Sequence, residues 1–170
     1  MKSLATLVIL IALVAPAISA QNNQTDDLKP MPGLTLQDFD GKPVSAETLK
    51  GSIIVLDFWA TWCGPCITEI PEYNKLQAKY ADKGVKVVGV TLVSGAASEV
   101  KPFVARHNMK YTVLMGDDEQ AYDFNIIGFP TTFIITPDMK IYKRYIGVTP
   151  KKSAQIEADI ERLLEKHNGR

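Results

Sequence analysis

The run Ile53-Ile54-Val55-Leu56-Asp57-Phe58 constrains this chain more than any other stretch. Apolar but for one acid, it cannot lie half in water, so it reads as a central strand covered on both faces. Trp59-Ala60-Thr61-Trp62-Cys63-Gly64-Pro65-Cys66 follows directly, and Ile67, Ile70, Tyr73, Leu76 and Tyr80 then recur at the spacing of a buried helical stripe. Gly84 ends that helix, and Val85 to Leu92 is a second β-rich run. Strand, helix, strand makes a parallel unit, so the chain is α/β.

The two cysteines are the only ones in 170 residues, and they sit at the strand-to-helix junction. That spacing sets Cys63 at the helix N-terminus and Cys66 one turn inside. Unpaired backbone N–H groups and the helix dipole favour a thiolate on Cys63, which makes it the nucleophile. Cys66, further in, is placed to attack a mixed disulfide on Cys63 and release the reduced partner. Half of a zinc site is the competing reading, but His107 and His167 are isolated, so no metal is expected. Haem attachment needs His where the chain has Ile67. A purely structural bridge would close too small a loop to restrain much chain entropy.

Asp57 is the anomaly of its strand. A buried unpaired carboxylate costs several kcal/mol, and its usual response is a raised pKa. That suits a proton acceptor for Cys66, against the alternative of a hydrogen-bonded carboxylate with no part in chemistry. Glu69, three residues beyond Cys66, either influences that proton or lies solvated on the surface. Pro71 is expected to kink the helix.

Upstream, Leu34 to Phe39, Asp40-Gly41 and Pro43 to Ser45 predict a β-hairpin, and Ala46 to Lys50 a short helical turn stopped by Gly51. Downstream, Ser98 to His107 reads as a helix with Val100, Phe103 and Val104 inward, Tyr111 to Met115 as a strand and Glu119 to Phe124 as a short helix. His107 there reads as a surface group suited to a helix C-terminus. In Gly128-Phe129-Pro130-Thr131-Thr132 the proline should open a strand, with a cis or a trans bond before it. A cis bond would leave neighbouring backbone groups free for an extended peptide. Ile141 to Ile146 returns antiparallel through Pro137 to Lys140, and Thr149-Pro150 caps a closing helix with Ile156, Ile160, Leu163 and Leu164 on one face.

At the N-terminus, Lys2, an aliphatic run from Leu4 to Val14 and a small residue at Ala20 match a secretory signal peptide over residues 1–20, with retention as a membrane anchor the alternative. Residues 21–32 read as a flexible leader, and 33–170 as one domain. With 19 basic and 19 acidic residues and no basic stripe, nucleic acid is not an expected partner. Export would place the cysteine pair in an oxidising compartment, so it would need an outside source of electrons to stay reduced.

Phe58 to Cys66 and Gly128 to Thr132 together resemble the thioredoxin superfamily, in particular the exported TlpA/ResA-type thiol-disulfide oxidoreductases, an AhpC/TSA-like thioredoxin domain. The resemblance covers roughly residues 33 to 166. It implies a thioredoxin fold: a central mixed β-sheet flanked by helices on both faces, with the N-terminal β-hairpin and an inserted αβ element. The family's nucleophile falls on Cys63, its resolving thiol on Cys66, its buried aspartate on Asp57, its acidic residue after the motif on Glu69, its helix proline on Pro71 and its cis-proline on Pro130. Clients are expected over Trp62, Gly64, Pro65, Phe129, Pro130 and Thr131, with Ser94 to Asn108 contributing to choice. No cofactor beyond a Cys63–Cys66 disulfide is implied. The partners implied are disulfide-containing client proteins and a membrane thiol-disulfide electron carrier, and the protein is expected to be a monomer. Gly64-Pro65 resembles the reducing end of the family, near about −270 mV by the thioredoxin example. Asp57 and Gly64 depart from many exported relatives, which argues against narrow specificity for apocytochrome c. Thr136 and Met139 stand where the family has Asp and Gly, so the hairpin there is expected to differ. Other readings are an oxidant or isomerase of the same fold, a peroxidase, which Ala60 disfavours, and a copper carrier.

Overall fold

The structure, a computed structural model, describes residues 28–168. The expected signal segment over 1–20 lies outside the described residues. The order of elements is β1 (Thr35–Gln37), β2 (Pro43–Ser45), a 3-10 turn (Ala46–Leu49), β3 (Ile53–Trp59), α1 (Gly64–Tyr80), β4 (Val85–Thr91), α2 (Ala97–Arg106), β5 (Thr112–Met115), α3 (Asp118–Asp123), β6 (Thr131–Ile135), β7 (Ile141–Ile146) and α4 (Lys152–Asn168). The strands form one mixed seven-stranded sheet in the order β2-β1-β5-β4-β3-β6-β7. β3 is parallel to β4 and antiparallel to β6. This is the thioredoxin fold, with β1–β2 as the N-terminal hairpin and α2–β5 as the inserted αβ element.

The apolar run does what its composition requires. Every residue of β3 is buried, because strands flank both its edges and helices cover both its faces. Side chains alternate across the sheet. Ile53, Val55 and Trp59 join a core with Ile70 and Tyr73 of α1, Val100 and Phe103 of α2, and Ile156 and Ile160 of α4. Ile54, Leu56 and Phe58 join the opposite core with Leu36 of β1, Phe124 at the end of α3 and Phe133. Full burial of each such side chain is worth about 1.5–3 kcal/mol, so the sheet's two faces are fixed by sequence register alone. Asp57 shares its parity with Ile53, Val55 and Trp59 and therefore faces α1 and α4.

Three local details differ from the sequence reading. Lys29 to Met31, expected within the leader, are paired: Pro30 bridges Lys140, Met31 N–H donates to Met139 C=O at 2.9 Å, and Ile141 N–H donates to Lys29 C=O at 2.9 Å. β7 is the edge strand of the sheet, and this short segment pairs with its first residue and the turn before it. The closing helix begins at Lys152, so Thr149 is not its N-cap and Pro150 not in its first turn: Thr149 C=O accepts from Lys152 N–H at 3.0 Å in a separate turn ahead of it. Finally, the hairpin expected to differ because Met139 stands where the family has glycine keeps a glycine-like turn: Met139 takes φ 62° and is 9% exposed, and Thr136 Oγ1 accepts from Lys140 N–H at 3.0 Å. Burial of the methionine and the threonine hydrogen bonds hold a conformation that glycine adopts freely.

Candidate active site

Cys63 is the N-cap of α1, and its Sγ accepts from Cys66 N–H at 3.2 Å. The two sulfurs are joined in a disulfide with the Cα atoms 5.3 Å apart. Both cysteines are nearly buried, 5% and 4% exposed, whereas Gly64 and Pro65 between them are exposed. Pro65 lies in the first turn of the helix, where its missing N–H costs nothing. An added Cβ at Gly64 would meet open space.

Cys63 lines an open groove of about 560 Å³, and Cys66 does not. The groove's other walls are Trp62, Gly64, Pro65, Val93, Ile127 and Phe129, among others. Trp62 is 65%, Val93 69% and Ile127 74% exposed, which is a high apolar exposure for one patch. The Trp62 and Phe129 rings meet edge to face at 5.7 Å. Trp62 Nε1 donates to Val93 C=O at 2.8 Å, and Val93 is held at φ 49° to present it. A positive φ is strained for a β-branched residue, so this loop is shaped by its contact with the cysteine loop. Ser94 Oγ adds a second tie by accepting from Thr61 N–H at 3.0 Å.

The Phe129–Pro130 bond is cis, and β6 begins at the next residue. Thr131 Oγ1 donates to Gly128 C=O at 2.7 Å and closes the loop. Thr131 is fully buried and paired with Phe58 and Ile146 in the sheet, so, against the expectation from sequence that it contacts clients, it offers a ligand no accessible surface and shapes the loop instead. The Pro130 carbonyl already accepts from Gly147 N–H at 2.8 Å. Gly128 and Phe129 are the members of this loop that line the groove.

Behind the disulfide helix lies a polar cluster inside the core. Asp57 is 2% exposed, and its Oδ1 accepts from Thr132 Oγ1 at 2.8 Å and from Tyr73 OH at 3.2 Å. Burial pushes the Asp57 carboxyl up from 3.8 to about 7, against the opposing pull of Lys152 and of the Thr132 hydrogen bond. Glu69 is buried as well, so it is not a solvated surface group. Its Oε2 accepts from Lys152 Nζ at 2.7 Å and from Tyr73 OH at 3.4 Å. Burial raises the Glu69 carboxyl, and the Lys152 contact opposes that rise. Burial also raises the Tyr73 phenol well above its ordinary value, which keeps it a neutral hydrogen-bond donor.

Asp57 and Glu69 meet around Tyr73 on the α1 side of β3, and Tyr73 belongs to the same core as Cys63 and Cys66. The sequence reading took Tyr73 for core packing and did not single out Thr132 or Lys152. Lys152 carried a signal: counting back four residues at a time from Ile160 and Ile156 puts it on the same buried stripe. His107 caps α2 and stacks on Phe103 at 4.1 Å, away from the groove's lining. Among the described residues no group of three or more His, Cys, Asp or Glu is gathered as a metal site, and no helix is long and apolar enough to cross a membrane.

A thioredoxin fold with a Cys-Gly-Pro-Cys disulfide at a helix N-terminus and a buried acid behind it defines the dithiol–disulfide exchange proteins. The AhpC/TSA family matches residues 28–144, and the chain belongs to that family. It is 33% identical over 132 residues to the thioredoxin-like protein YneN of Bacillus subtilis, covering 76% of this chain and 77% of the relative. It is 32% identical over 136 residues to the thiol-disulfide oxidoreductase ResA of Bacillus cereus, covering 79% and 77%. A thiol:disulfide interchange protein of the thioredoxin family from Chlorobium tepidum superposes with a TM-score of 0.70 at 30% identity, covering 81% of this chain and 97% of that one. The chain is thus a thioredoxin-like thiol-disulfide oxidoreductase of the TlpA/ResA type.

Proposed function

We propose that this protein reduces disulfides in client proteins outside the cytoplasm, with Cys63 as the attacking thiol and Cys66 as the resolving one. In the reduced form the N-terminus of α1 favours a thiolate on Cys63, which attacks a client disulfide and expels one client sulfur as a thiolate. Cys66 then gives its proton to Asp57, and its thiolate attacks Cys63. The bond from Cys63 to the client breaks, the second client sulfur leaves, and the Cys63–Cys66 disulfide forms. Two electrons have passed from the dithiol to the client.

The observation that carries this reading is Asp57, buried on the α1 face of β3 and poised near neutral pH, where an acid can both take and return a proton. The reducing direction rests on Gly64-Pro65, the pair that resembles the reducing end of the family. An extended client segment would lay an apolar side chain into the groove between Trp62 and Phe129 and rest on the Phe129 backbone. The apolar walls and the lack of a charged residue among those named favour broad over narrow choice of clients, with cytochrome c maturation as one setting. Residues 1–20 support export by their sequence, and an exported reductant needs a membrane thiol-disulfide carrier as electron donor. The protein would act as a monomer with no cofactor but its own disulfide.

The test is the equilibrium reduction potential of Cys63–Cys66 against dithiothreitol and glutathione. The reading predicts about −270 mV, and a value above about −150 mV would make the protein a disulfide donor instead. A Cys66→Ser variant should strand clients as mixed disulfides on Cys63 and so identify them.

A further inference from the structure

Two carboxyl groups share one hydrogen-bond partner inside the core: Tyr73 OH is 3.2 Å from Asp57 Oδ1 and 3.4 Å from Glu69 Oε2. One buried cation serves both. Lys152 Nζ lies 2.7 Å from Glu69 Oε2, and its side chain is 3% exposed. Two carboxylates in a low-dielectric pocket with a single cation do not ionise independently; one of them holds a proton more readily. Contact decides which. Glu69 has the ammonium group directly on it in a charge-assisted bond, whereas Asp57 has only the hydroxyls of Thr132 and Tyr73.

We propose that Lys152 is a positioning residue that divides the labour between the two acids: it fixes Glu69 as the standing anion and leaves Asp57 as the carboxyl that exchanges a proton with Cys66. The proposal rests on the reading of Asp57 as proton acceptor given above. The groups that face Asp57 are Tyr73 and Glu69 of α1, Thr132 of β6, Lys152 of α4 and Tyr111 ahead of β5. Only Lys152 among them is a cation, so its charge has no substitute. The fold delivers it reliably, because Lys152 stands one turn before Ile156 on the stripe that α4 buries, with Ile156 and Ile160 both fully covered. During exchange Glu69 and Lys152 keep their charges. The proton of Cys66 goes to Asp57 as the Cys63–Cys66 bond forms and the client thiolate departs.

Carboxyl-carbon NMR titration of the oxidised full chain, labelled at Asp and Glu, tests this. The wild type should show a near-neutral midpoint that disappears in Asp57→Asn. Lys152→Met should move that midpoint up by about one pH unit or more and bring a Glu69 midpoint toward neutrality. Glu69→Gln, which leaves Lys152 with Asp57 as its remaining anionic neighbour, should move the Asp57 midpoint down. The double variant Lys152→Met, Glu69→Gln should return it close to the wild-type value. A packing role for Lys152 produces no such up, down and return pattern. An Asp57 midpoint that stays put in Lys152→Met overturns the proposal. Should that variant not fold, Glu69→Gln decides: no downward move overturns it equally. The proton-acceptor reading fails separately, if Asp57→Asn resolves mixed disulfides as fast as the wild type whatever the titrations show.

Discussion

Asp57 and Asp159 are each 2% exposed, one in the central strand and the other in the closing helix, yet they are built for different ends. Asp159 is held by Lys143 Nζ at 3.1 Å, by Arg162 Nη1 at 3.1 Å and by the Tyr145 hydroxyl. Lys143 and Tyr145 tie β7 to it while Arg162 comes from its own helix, and it does not line the groove. Asp57 has no cation in contact and accepts only from neutral hydroxyls. Burial of a carboxylate is therefore not what marks a proton acceptor; burial without a directly bound cation is. Glu69 lies between the two cases, buried like Asp57 but paired like Asp159.

The largest effect expected from breaking this contrast is on rate. Asp57→Asn should slow resolution of a Cys63 mixed disulfide by about 10²-fold at pH 7, measured by rapid-quench release of a labelled client peptide. Asp159→Asn should leave that rate within about twofold.

Stability should move the opposite way. A carboxyl whose folded value rises from 3.8 to about 7 binds more protons in the native state than in the unfolded one across that interval. Folding is then fully favoured below about pH 4 and loses stability as pH climbs to about 7, with a penalty of at most roughly 4 kcal/mol above it. Asp57→Asn should consequently stabilise the protein by about 2–3 kcal/mol at pH 8 and hardly at all at pH 4, read from urea unfolding at both pH values. Asp159→Asn should instead destabilise by about 1–2 kcal/mol at pH 8, since it loosens three hydrogen-bonding partners at once.

The smallest effect belongs to the exposed surface between the cysteines. Gly64→Ala meets no neighbouring atom and should change unfolding free energy by less than about 0.5 kcal/mol. Any shift in reduction potential it causes would then report on the cysteines and not on the fold.

The sheet was legible because β3 and β4 are apolar runs punctuated by glycine, and hydrophobic period fixes their faces without knowledge of partners. The cysteines and Asp57 were legible for the same local reason: each is chemically out of place in its element. The roles of Tyr73, Thr132 and Lys152 were not, since they lie in contacts 16, 75 and 83 residues away along the chain, and the stripe of α4 shows only that Lys152 points inward. A tyrosine on an apolar stripe looks like core, and a lysine near a helix start looks solvated. Lys29 to Met31 were missed because their pairing is through backbone groups, which every sequence carries alike.

The central claim is that Asp57 takes the proton of Cys66, and the pH profile of mixed-disulfide resolution tests it most directly. Between pH 5 and 9 the wild-type rate should rise with a midpoint near 7, and in Asp57→Asn that rise should vanish, leaving a slower reaction that climbs only with the thiol's own ionisation. Superimposable profiles from the two proteins would contradict the account.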